Sequence, residues 1–95
     1  MNNINEKNKN LIADAQKTIE QIASAIGEGS QLPDSMQQQI SSVIIETQAI
    51  IGMIAISSEQ GHAASNEIAF LGEYHEKNLG LLADLIELGV IENAA

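Results

Sequence analysis

The stretch from Ser41 to Ser57, SSVIIETQAIIGMIAIS, constrains this 95-residue chain more than any other. Its apolar run from Val43 to Ile56 covers 14 residues and contains Glu46, Thr47 and Gln48. A membrane-crossing helix needs about 20 apolar residues, so the run is expected not to span a bilayer. Nor does it alternate as a half-buried strand would, because Ile44–Ile45 and Ile50–Ile51 are adjacent pairs. Ile40, Ile44, Thr47, Ile51, Ile54 and Ser58 instead recur at steps of 4, 3, 4, 3 and 4, a coiled-coil-like seam. Val43, Ile50 and Met53 widen it on one side, Ile45 and Ile56 on the other. A helix apolar around most of its circumference is expected to be enclosed by protein.

Other segments offer that cover. Leu11, Ala15, Ile19, Ile22 and Ile26 follow at helical spacing, thickened by Ile12, and Asn3 with Glu6 has the form of a capping box. This predicts a first helix over about 4–26, ended by the GEGS turn with Gly27 or Gly29 in a left-handed conformation. Pro33 suits a helix start rather than an interior, and Asp34 with Gln37 is expected to cap a second helix over about 34–58. A third series, Ala64, Ile68, Leu71, His75, Asn78, Leu82, Leu85 and Gly89, predicts a helix over about 62–88. Gly89 before Val90 and Ile91 marks its stop, while Asn78 and Gly80 are candidate points of kinking or interruption.

Between the second and third helices lies SSEQGHAAS, residues 57–65. A turn there gives three helices of similar length that close as an antiparallel bundle. Continuous helix over 35–78 gives a rod of about 65 Å that needs neighbouring subunits to cover it. Gly61 disfavours helix by about 1 kcal/mol against alanine, and Ser57 or Ser58 would cap a new start, so the turn is preferred. The fold class is all-α: one domain over 1–95, a three-helix antiparallel bundle or a long helical hairpin that oligomerises.

Charge narrows the partners. The formal net charge is −9, and no Lys or Arg falls between Lys17 and Lys77. Phosphate backbones and anionic lipid both require clustered cations, so nucleic-acid binding and peripheral membrane attachment are disfavoured. The chain contains no cysteine, which removes disulfides and thiolate metal sites. Its start, MNNINEKNKN, lacks the basic and apolar regions of a secretory signal, so a cytoplasmic location is expected. Phe70 and Tyr74 are the only aromatic residues, which argues against a small-molecule pocket, and no cofactor is expected.

Chemistry-bearing patterns are few. Glu59 and His62 stand three apart, the spacing of the Glu-x-x-His element of ferritin-like di-iron sites, and are the candidate metal ligands. Glu73 and Glu76 return to a similar face on a continuous helix, and Glu20, Glu28 and Glu46 are the carboxylates a partner helix could add. Neither a Gly-x-Ser-x-Gly elbow nor a glycine-rich phosphate loop occurs, and enzymatic activity is not expected. Glu73, Tyr74, His75 and Glu76 form the one cluster that mixes aromatic and ionisable groups; a buried His75 would make an assembly pH-sensitive.

The break AIGEGSQLPDSMQQQ followed by ETQAIIGMIAISSEQGHAASNEIA resembles the R-body ribbon proteins of the killing-trait family over about residues 20–70. The resemblance is one of composition; the Gln run opens the helix here, and no counterpart of that family's Asn-Leu-Tyr element is present. It implies self-assembly into a coiled, pH-responsive ribbon. From the residues themselves, the expected function is a helical structural or interaction protein that self-associates, with Ile40, Ile44, Ile51, Ile54, Ile68 and Leu71 as the contact positions. The alternatives are a monomeric or dimeric acidic helical binder of another protein, such as a secretion chaperone or a phage-type inhibitor, and a ferritin-like metal-binding protein.

Overall fold

The structure, a computed structural model, describes residues 6–27 and 31–91. Three helices make it up: α1 (Glu6–Ala23), α2 (Asp34–Glu59) and α3 (Ser65–Glu87). All three pack against one another, and no strand occurs among the described residues. The long dimension is 45 Å against 26 and 19 Å across, the shape of helices lying side by side.

Two apolar clusters fix the directions of the helices. One joins Ile22 and Ala25 of the first segment to Ile40 of α2 and to Leu82 and Leu85 of α3. The other joins Ala15 to Ile54, Ala64 and Leu71. The start of α2 therefore meets the ends of α1 and α3, and its end meets their beginnings, so α2 runs antiparallel to both. Between the clusters, Thr47 and Asn78 are buried and hydrogen-bonded to each other.

The turn after α2 is settled by its backbone bonds. His62 N–H donates to Ser57 O at 2.8 Å and Gly61 N–H to Ser58 O at 3.0 Å, the two bonds of a Schellman motif. That motif needs a left-handed residue, which Gly61 supplies at φ +83. Ser57 and Ser58 thus belong to the helix that ends there and do not cap the next. The end of α3 repeats the device: Val90 N–H donates to Leu85 O and Gly89 N–H to Ile86 O, both at 3.0 Å.

Several predicted boundaries are corrected. Regular helix in α1 stops at Ala23 rather than 26, because Ser24, Ala25 and Ile26 donate to carbonyls three residues back, tightening the last turn. Gly27 follows at positive φ, while Asn3 and Gly29 lie outside the described residues. Pro33, not Asp34, is the N-cap of α2; Asp34 adds an acidic side chain to the first turn, where the helix dipole favours it. Gln37 reaches back to Leu32 O at 2.8 Å. Helix α3 starts at Ser65, after Ala64 adopts a left-handed conformation (φ 55, ψ 35) with no side-chain cap, and runs unbroken through Asn78 and Gly80.

Candidate interaction surface

The positions expected to bind a second chain lie inside this one. Ile40, Ile54 and Leu71 are fully buried, and Ile44, Ile51 and Ile68 are partly buried against the two clusters. Their seam is satisfied by the bundle itself. A partner has to use what the bundle leaves uncovered.

What remains uncovered is the other side of α2. In this 26-residue helix only Ile40, Thr47 and Ile54 are fully buried, seven residues apart. Two neighbouring helices cover one side of a third, so the apolar residues on the far side stay in water. Ile45 is 65% exposed, Met53 53% and Ile56 57%, and Ala49, Gly52 and Ala55 beside them are exposed as well. On α3, Phe70 is 55% exposed, near the end of the bundle that holds Met53 and Ile56. The expectation that α2 would be enclosed is therefore met on one side only. Its outer stripe was legible in the sequence, since Ile45, Ala49, Gly52 and Ile56 repeat at 4, 3 and 4; nothing in the pattern ranked it below the inner seam.

At the edge of this face, Glu46 of α2 meets α3. The Tyr74 hydroxyl is hydrogen-bonded to the Glu46 carboxylate, and that charge is the main cause that raises the phenol above 10.0, with Glu73 adding to it. Lys77 Nζ stands 5.6 Å from the centre of the Tyr74 ring, within cation–π range. The arrangement ties two helices together at their surface.

His75 is half-buried on the inner seam of α3, as its position predicted, and its Nδ1 is enclosed without a hydrogen-bond partner. Asn78 Oδ1, one turn on, is likewise unpaired. Glu59 and His62 are not brought onto one helical face: α2 ends at Glu59, and His62 lies beyond the turn, both of them exposed. Among the described residues no group of three or more His, Cys, Asp or Glu side chains could hold a metal ion. The spacing that suggested a site depended on unbroken helix, and the Schellman turn removes it.

Two further features complete the surface. An open cleft of about 780 Å³ lies at one end of the bundle, lined by Ile26, Leu32, Pro33, Met36, Leu88 and Val90 among others, none of them ionisable. Helix α2, longer than the apolar run within it, is by length and composition long and apolar enough to cross a membrane, features shared by signal sequences and by the mostly buried core helices of soluble proteins. No protein-family model, curated protein or solved structure matches the chain.

Proposed function

We propose that this protein is a small acidic helical structural or interaction protein that self-associates in a cytoplasmic setting, without cofactor, nucleic acid or membrane-spanning segment. The observation that supports this reading is the outer face of α2, where Ile45, Met53 and Ile56 stand more than half exposed. Covering each of these, and Phe70, contributes about 1 kcal/mol, roughly half the value of a full apolar side chain. Two copies then supply about 8 kcal/mol, within the range of about 4–15 kcal/mol that association costs. The expected assembly is accordingly reversible and concentration-dependent. Glu46, in the middle of α2, favours a protein partner over the bilayer interior, where a carboxylate is expensive.

The second reading is an acidic binder that covers a basic surface on another protein. It is favoured by the net charge of −9 and by the absence of any Lys or Arg between Lys17 and Lys77. Light scattering across a concentration series separates the two. A mass that rises with concentration to a dimer or larger is expected; a monomer throughout would discard self-association in favour of the acidic binder.

A further inference from the structure

The outer stripe of α2 reads alike from both ends. Its members, Ile45, Ala49, Gly52 and Ile56, are spaced 4, 3 and 4, large at the outside and small at the centre, with polar Ser42 three residues before and Glu59 three residues after. The midpoint falls between Ile50 and Ile51. We infer that this face pairs with the same face of a second copy, antiparallel about a twofold axis, with Ile45 level with the partner's Ile56 and Ala49 level with the partner's Gly52. The inference rests on the self-association proposed above and names its surface, symmetry and register.

A twofold contact must be self-complementary, and a sequence stripe symmetric about its own centre meets that requirement in the antiparallel orientation. Small residues at the crossing let two helix backbones approach closely, while the isoleucines at either end pack against each other. Gly52, like Gly72 and Gly80 on α3, leaves room for such an approach. It sits in the interior of α2 with no left-handed conformation, and a Cβ built on it would find nothing within 4 Å. Nothing within the chain calls for glycine there, although glycine weakens a helix. An approach from outside the chain gives it a use.

Electrostatics choose the antiparallel orientation. The stripe has no charged member from Ser42 to Ile56. Antiparallel pairing sets Glu46 level with the partner's Ala55 and holds the two Glu46 carboxylates about 13 Å apart along the axis, beyond the screening length of about 8 Å at physiological salt. A parallel pair would put Glu46 beside its own copy and Glu59 likewise, with no cation on α2 to relieve either. Lipid fits less well, because Glu46 lies in the middle of α2, where a carboxylate is expensive in a bilayer, and the net charge of −9 repels anionic headgroups.

The chain has no native cysteine, so introduced thiols report cleanly. Ala49→Cys and Gly52→Cys variants, one carrying a size tag, are mixed and mildly oxidised, with wild-type mass followed by light scattering and helix content by circular dichroism. Both positions are exposed, so each variant keeps the fold. The expected result is a wild-type dimer and a mixed disulfide several-fold more abundant than either homodisulfide. Dominant homodisulfides would overturn the antiparallel register. A wild-type dimer without cross-links at either position would overturn this surface and leave self-association standing. A wild-type monomer would end both, and one that floats with phosphatidylcholine vesicles would assign the stripe to lipid.

Discussion

Asn78 Nδ2 donates a 3.0 Å hydrogen bond to Thr47 Oγ1 in the interior, joining α3 to α2 midway between the two apolar clusters. The Thr47 hydroxyl itself donates to Val43 O, four residues back, at 2.6 Å. With its one proton used there, Oγ1 can only accept from Asn78, which fixes the orientation of the amide. Asn78 Oδ1 is left enclosed and unpaired. A polar pair in an otherwise apolar seam serves register: any slip of α3 against α2 would bury the Asn78 amide without a partner.

This pair should respond asymmetrically to substitution. Thr47→Val strips Asn78 of its single partner and is expected to cost about 1–3 kcal/mol. Asn78→Leu removes the orphaned oxygen and leaves Thr47 still bonded to Val43, so it should be neutral or stabilising. Urea unfolding of both single variants and of the double variant measures the coupling; equal losses from the two single changes would contradict this picture.

Ile54 and Ile56 lie two residues apart on α2 with 0% and 57% of their surface exposed. Ile54→Ala leaves a cavity in the cluster with Ala15 and Leu71 and should cost about 2–5 kcal/mol. Ile56→Ala should change stability by less than about 0.5 kcal/mol at concentrations where the protein is monomeric. Thermal or urea denaturation of the two variants decides between this placement and one in which both face a core.

Ala64 is a buried non-glycine residue in the left-handed region, at φ 55. Ala64→Gly relieves strain of about 1–2 kcal/mol and gives up a buried methyl worth about 0.8 kcal/mol, so the net change should be small. Ala64→Val asks a β-branched side chain to adopt that backbone and should destabilise by more than about 2 kcal/mol. Chemical denaturation of the two variants tests the conformation of the turn.

Tyr74 is the single tyrosine in a chain without tryptophan, so its ionisation can be followed by tyrosinate absorbance. The Glu46 charge, the hydrogen bond to it, burial and Glu73 all raise the phenol above 10.0. The folded state therefore holds this proton more tightly than the unfolded chain does. The resulting stability is fully present below pH 10.0 and is lost as pH rises through the raised value. Glu46→Gln removes the largest cause and should bring the folded-state titration back towards 10.0; an unchanged titration would show that Glu46 does not control it.

The helical pattern was legible wherever local chemistry sufficed. Gly61 and Gly89 end helices because a Schellman turn needs a residue free to adopt positive φ, and both were expected as stops or turns. The starts were less legible. Asp34 and the serines near 57 look like caps, yet Pro33 and Ala64 hold the N-cap positions without a side-chain bond. The suggested metal pair Glu59 and His62 depended on helix continuing through Gly61, which the turn replaces.

Periodicity by itself determined that α2 is a helix with an inner seam, and that Thr47 and Asn78 stand in line with the isoleucines and leucines around them. Only the tertiary structure decided that one side of this nearly all-round apolar helix is covered and the other is not. A helix with two comparable stripes carries no local preference between them. Which one meets α1 and α3 depends on the registers of three helices at once, and two neighbours reach one side only, leaving Ile45, Met53 and Ile56 outside.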